Sequence, residues 1–254
     1  MNNKIRVTLL GVLVGAAVLG LGLWRYQVAS QARSAHAAVV RDPSESVLGG
    51  CDCIAALVKR ALAAPGIGDG STIAVMATGD ESTASEPRLL TSLDVPSNRR
   101  ALEGRNAVAR QREELLSNIK NQCEQLPRTK TSPIFRAIGR AVEHLRSLGC
   151  GPDLECSVYV QTDLEETSDS QIRKALDQPI RDKRVLPAPI NNDGINVVIC
   201  GVAETTGRTI GEDGKARQMT KPRDPERVDR IGSVWSALFT NPEQVKFEPY
   251  APKH

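Results

Sequence analysis

Apolar and polar positions along this 254-residue chain follow two rhythms. Short unbroken apolar runs occur at Ser71–Ala77 (STIAVMA), Cys156–Val160 (CSVYV) and Ile195–Ala203 (INVVICGVA). Their β-branched and aromatic content reads as buried strands. Between the runs, apolar residues recur at helical spacing. Ile54, Leu57, Val58, Ala61 and Leu62 mark a helix over Cys51–Ala64, stopped by Pro65-Gly66. Leu102, Val108, Leu115, Leu116, Ile119 and Cys123 predict a long one over Arg99–Leu126. A third covers Phe135–Leu148 and ends at Gly149; a short one is expected at Ser170–Gln178 and a last at Asp224–Phe239. Arg88–Leu93 and Val245–Phe247 add minor strands, while Thr205–Lys215 reads as a Gly-rich polar loop. Strands alternating with helices predict an α/β domain whose mostly parallel central sheet is covered by helices on both faces.

The N-terminus has a different pattern. Val7–Trp24 is eighteen residues without a charge, about the length of a bilayer-spanning helix. Lys4 and Arg6 precede it, and Trp24 and Tyr26 follow as interfacial aromatics. The expected organisation is therefore an uncleaved single-pass anchor at 1–26, a linker with a short helix at 27–70, and the α/β domain at 71–249. In the linker, Gln27–Ala38 reads as helical and Arg41–Gly50 as a connector. With no second span expected, the domain is placed on the non-cytoplasmic side.

Composition refines this picture in three places. Aromatics are 3% of residues, so the core must be aliphatic. The net charge of +3 is spread along the chain without a basic stripe, which argues against nucleic acid as a partner. Six cysteines permit up to three disulfides. Cys156 and Cys200, on apolar runs, read instead as small buried hydrophobes.

The candidate chemistry lies where strands end. Cys156–Val160 empties into Thr162-Asp163-Leu164-Glu165-Glu166-Thr167-Ser168-Asp169, and Ser71–Ala77 into Thr78-Gly79-Asp80-Glu81-Ser82. Ser132, before Pro133, reads as a helix N-cap. Glu165, Glu166 and Asp169 read as a solvated acidic loop. Clustered hydroxyl and carboxylate oxygens suit a hard cation such as Mg²⁺. No Ser-His-Asp order, Walker loop or HExxH occurs.

The order Asp80-x-Ser82, then Thr131-Ser132-Pro133-Ile134-Phe135-Arg136-Ala137-Ile138, then VYVQTDLEET resembles the von Willebrand factor type A domain family. That family's metal-ion-dependent adhesion site uses D-x-S-x-S, a Thr from a separate loop, and an Asp after a later strand. The resemblance implies Asp80, Ser82, Thr131 or Ser132, and Asp163 as ligands for Mg²⁺, with Mn²⁺ able to substitute. It also implies a protein partner that contributes an Asp or Glu side chain. Two positions depart from the pattern: Ala84 stands at the third D-x-S-x-S position, and Leu164 where the family has Gly. The expected function is a membrane-anchored protein-interaction module rather than an enzyme. The alternatives are a metal-free envelope scaffold, or a Mg²⁺-dependent hydrolase in which Asp80 and Asp163 share the ion and Arg128 or Lys130 meets the substrate.

Overall fold

Val39 and Val40 are fully buried in the middle of a sheet. The computed structural model describes residues 34–44, 47, 50–68, 70–79, 88–94, 105–127, 129, 131–178, 186–202, 204–210 and 216–248. Its sheet strands are β1 (Ala37–Arg41), β2 (Thr72–Ala77), β3 (Arg88–Asp94), β4 (Cys156–Gln161), β5 (Ile195–Cys200) and β8 (Val245–Glu248). They lie in the order β3-β2-β1-β4-β5-β8. All neighbours are parallel except the β2–β3 pair. An antiparallel edge strand on an otherwise parallel sheet is a common arrangement. The predicted α/β class and mostly parallel sheet are what the chain adopts.

Helices cover both faces. On one face Ala37, Val39, Ile73, Val75, Tyr159 and Val198 pack under α1 (Gly50–Leu62) and α2 (Arg105–Glu124). On the other, Ala38, Val40, Ala74, Val158 and Val160 pack under α3 (Ile134–Ser147), α4 (Ser170–Asp177) and α5 (Pro225–Ser236). The strands alternate between the two clusters because successive side chains point to opposite faces. Both faces are buried, so each strand reads as a continuous apolar run.

Three features differ from the sequence reading. Residues 37–41, expected at the junction of a helix and a connector, form the strand between β2 and β4. Alanine favours helix locally, but Val39 and Val40 gain more from burial and pairing on both edges than the local preference supplies. The folded unit accordingly starts at Ser34, and α1 belongs to it. Residues 204–222, expected to form a loop in part, contain a hairpin of β6 (Glu204–Ile210) and β7 (Ala216–Pro222), paired from Glu204↔Pro222 to Ile210↔Ala216. Thr205, Thr206, Thr209 and Thr220 supply the β-branched character that the glycines obscure.

Cys156 is not a free buried hydrophobe. It is bonded to Cys150, and Cys51 to Cys123. Cys53 and Cys200 are buried and lie outside these two disulfides. Burial pushes the Cys200 thiol up to about 12, with Glu248 adding to the shift, so it carries no nucleophilic thiolate at neutral pH. The apolar run Val7–Trp24 lies outside the described residues. Among the described residues no helix is long and apolar enough to cross a membrane.

The disulfides make unequal contributions. Cys51–Cys123 closes a separation of 72 residues and ties α1 to α2, whereas Cys150–Cys156 closes one of 6. Chain-entropy scaling gives roughly 4 kcal/mol for the first and about 2 kcal/mol for the second. Urea unfolding of Cys51→Ser/Cys123→Ser and Cys150→Ser/Cys156→Ser proteins should show the first pair to be the more destabilised.

Candidate functional site at the sheet switch point

Counting only sheet strands in chain order, the spatial order is 3-2-1-4-5-6, and its direction reverses between β1 and β4. Loops leaving the carboxyl ends of those two strands diverge, which opens the crevice where ligands sit in doubly wound sheets. The register Arg41↔Gln161 puts Asp42 and Thr162 side by side at that point. The Asp42 amide donates to the Gln161 carbonyl at 3.0 Å.

Asp42 is 1% exposed. Its Oδ1 accepts from the Ser44 amide at 3.0 Å and the Ser132 hydroxyl at 2.9 Å, and its Oδ2 from the Thr162 hydroxyl at 3.0 Å. Burial raises its pKa to about 6, and the neighbouring Asp163 adds to the shift; the three donors oppose it without cancelling it. Two carboxylates therefore share a site that is short of positive charge.

Asp163 is also 1% exposed. Its Oδ1 accepts from the Glu165 amide at 3.1 Å, while its buried Oδ2 has no hydrogen-bond partner among the described residues. Among the described residues the nearest cation to Oδ2 is Arg223 Nη2, at 3.8 Å, an ion-pair separation outside hydrogen-bonding range. Two buried hydroxyls without hydrogen-bond partners among the described residues, Thr78 and Thr129, belong to segments bonded to the chain next to Asp42. Thr78 follows β2, and Thr129 donates its amide to the Pro43 carbonyl. A buried polar oxygen without a donor is uncommon and costly, so an orphaned carboxylate oxygen is informative.

The loop after β4 is built to hold this arrangement. Leu164 has φ +58°, the left-handed region that glycine occupies at least cost. It nevertheless carries a fully buried side chain in the core. Its amide donates to the Thr162 hydroxyl and its carbonyl accepts from the Trp235 indole at 3.1 Å. The core contact offsets the strain of that backbone.

Glu166 is buried rather than part of a solvated acidic loop. It accepts from the Phe135 amide at the start of α3, and from the Ser168 amide, the Ser168 hydroxyl and the Asp169 amide. Asp169 caps α4 through the Gln171 and Ile172 amides. Glu165 pairs with Arg227 at 2.6 Å. Ser132 does not cap α3, since its hydroxyl is committed to Asp42 and its amide to Thr167. Each of these acidic or hydroxyl groups has a hydrogen-bond or ion-pair partner within the fold, which the sequence-local view of an acidic stretch does not anticipate.

Of the residues expected as ligands, Ser132 and Asp163 come together at the switch point, and Thr131 is half-buried beside Ser132. Asp80 and Ser82 lie outside the described residues, as do Arg128 and Lys130. Asp42 is the residue that sequence reasoning missed; Thr162, read there as part of the oxygen-rich strand end, was given no role as a ligand. The signal for Asp42 is the spacing Asp42-x-Ser44-x-Ser46 directly after an apolar run, masked by Pro43 and Gly49-Gly50, which read as linker. Among the described residues no three His, Cys, Asp or Glu side chains cluster as for a metal ion; the oxygens here are two carboxylates and several hydroxyls.

Such a donor set fits a hard, oxygen-seeking dication better than zinc or copper. Asp42, Ser44, Ser132 and Asp163 are the described side chains that would hold it. Fold and site together define an α/β chain with doubly wound strand order and a buried, oxygen-rich pair of carboxylates at the strand ends. No protein-family model matches the chain, and no curated protein matches it.

The burial of Asp42 makes a testable demand. A carboxyl raised to about 6 contributes stability that is fully present below its ordinary pKa of 3.8 and lost as pH rises through about 6. Asp42→Asn cannot ionise. In metal-free buffer its stability relative to wild type should therefore grow from pH 4 to pH 8, by on the order of 3 kcal/mol. Urea midpoints across that range measure the difference, and a flat difference would show that Asp42 titrates normally.

Proposed function

We propose that this chain is a protein-interaction module of the von Willebrand factor type A kind, which uses a Mg²⁺-type ion at the carboxyl ends of β1 and β4. The observation that carries the reading is the buried pair Asp42 and Asp163, with the Asp163 Oδ2 lacking a hydrogen-bond donor among the described residues. Two further features support it. The spacing Asp42-x-Ser44-x-Ser46 follows the middle strand, with Ser46 outside the described residues. Ser132, from the loop before α3, and Asp163, after β4, supply the later two members of the family's pattern. In this reading D-x-S-x-S begins at Asp42 rather than at Asp80.

When bound, the ion would supply a hard Lewis-acidic centre whose remaining position takes a partner's Asp or Glu carboxylate. The chain's own residues do the rest. Ser44, Ser132 and Thr162 hold the Asp42 carboxylate in one orientation, and the Leu164 backbone turns the chain sharply behind Asp163. The apolar run Val7–Trp24 would tether the module to a membrane as a single span, with the domain on the non-cytoplasmic side.

One observation favours a second reading, a metal-free scaffold. The Arg223 guanidinium already stands beside Asp163 and supplies part of the positive charge the site needs.

Millimolar Mg²⁺ or Mn²⁺ should raise the unfolding temperature of the full-length chain in detergent micelles. An ion that binds only the folded state must stabilise it. Asp42→Asn and Asp163→Ala should abolish the rise, and Ser132→Ala should reduce it. In the wild type, affinity should fall about tenfold per pH unit below about 6, because the ion must displace a proton from Asp42. An unfolding temperature unmoved by either ion from pH 6 to 8 would leave the scaffold reading standing.

A further inference from the structure

Arg223 has no counterpart in the ligand pattern, yet among the described residues it is the cation closest to the orphaned oxygen. Its side chain is 7% exposed. Nη1 donates to the Asp163 carbonyl at 2.8 Å and to the Val202 carbonyl at 3.0 Å. Nη2 lies 3.8 Å from Asp163 Oδ2 and 3.6 Å from Glu165 Oε1. Val202 precedes β6 and Arg223 follows β7. A single buried guanidinium therefore closes the base of the β6–β7 hairpin and fastens it to the loop that carries Asp163.

The placement has an electrostatic consequence. A buried charge beside a carboxylate is screened far less than one in water. Arg223 consequently lowers the attraction that Asp163 exerts on any second cation. Glu165 does not depend on Arg223, since Arg227 bonds it independently through Nε at 3.3 Å and Nη2 at 2.6 Å.

We propose that Arg223 is a built-in counter-charge that weakens divalent-cation binding at the Asp42–Asp163 site and couples that binding to the β6–β7 hairpin. The inference rests on the metal reading above. Guanidinium and dication compete for the negative charge of Asp163, so occupation of the site by one loosens the hold of the other. Coupling of this kind is reciprocal: by whatever factor the clasp weakens the ion, the ion weakens the clasp. The hairpin, standing at the edge of the site, thereby reports whether the site is filled.

The test uses the full-length chain, with Mg²⁺ and Mn²⁺ titrated calorimetrically into wild type, Arg223→Gln, Arg223→Lys and Asp42→Asn. Arg223→Gln keeps length and polarity without charge and should bind roughly tenfold more tightly than wild type. Arg223→Lys keeps the charge and should bind like wild type, and Asp42→Asn should not bind. Hydrogen exchange of the hairpin amides at 204–210 and 216–221 gives a readout that needs no variant. In wild type, saturating Mg²⁺ should speed it; in Arg223→Gln it should be fast already and insensitive to the ion.

Ion binding by Arg223→Gln but not by wild type supports the proposal in its strongest form. Equal or weaker binding by Arg223→Gln, with wild type binding, overturns it and leaves the metal site intact. Binding by neither protein overturns the metal reading and the proposal with it. Should Arg223→Gln fail to fold, unchanged hairpin exchange in wild type at saturating Mg²⁺ overturns the coupling.

Discussion

The burial of the Asp42 carboxylate constrains much of the structure around it. A carboxylate at the end of a middle strand, flanked by neighbouring strand ends, has little access to water and must find donors in the protein. It finds three: the Ser44 amide from its own loop, the Ser132 hydroxyl before α3, and the Thr162 hydroxyl after β4. Each donor fixes the element that carries it. Ser132 gives its hydroxyl to Asp42 rather than to the helix start, and Glu166 takes up the Phe135 amide there. Thr162 also accepts from the Leu164 amide, in a turn that puts Leu164 at positive φ, and Trp235 reaches across from α5 to the Leu164 carbonyl.

The same constraint sets the electrostatics. Three donors do not repay the desolvation of Asp42 and its repulsion from Asp163, and its raised pKa expresses the remainder. Two kinds of positive charge can answer that deficit: a bound dication, which demands oxygens and an open position, or a guanidinium on the chain itself. Arg223 is placed between these solutions. It is close enough to Asp163 to interact, yet too far from Oδ2 to donate a hydrogen bond, its Nη1 being committed to two carbonyls.

The β6–β7 hairpin gives the molecule an element outside the main sheet. Its two strands pair with each other, and at its base Arg223 grips the Val202 carbonyl and the Asp163 loop together. The opposite face of the sheet is secured differently, by the disulfide that joins α1 to α2.

The layered α/β arrangement was legible in the amino-acid sequence because buried parallel strands must be apolar on both sides and their covering helices on one. Ser71–Ala77, Cys156–Val160 and Ile195–Ala203 announced β2, β4 and β5, and the stripes ending at Leu148 and Phe239 announced α3 and α5. Ser132 and Asp163 were legible as hydroxyl and carboxylate at element boundaries. β1 was not, because five residues with two alanines carry too little local signal against an Ala-rich flank; pairing with β2 and β4 decides it. Asp42 was hidden with it, although its D-x-S-x-S spacing is local. That Glu166 is buried, that Cys156 is bonded, and that Arg223 meets Asp163 across 60 residues of chain depended on tertiary structure. Apolar periodicity is a property of neighbours in sequence, whereas the partner of a buried charge is chosen by whichever elements the finished sheet brings together.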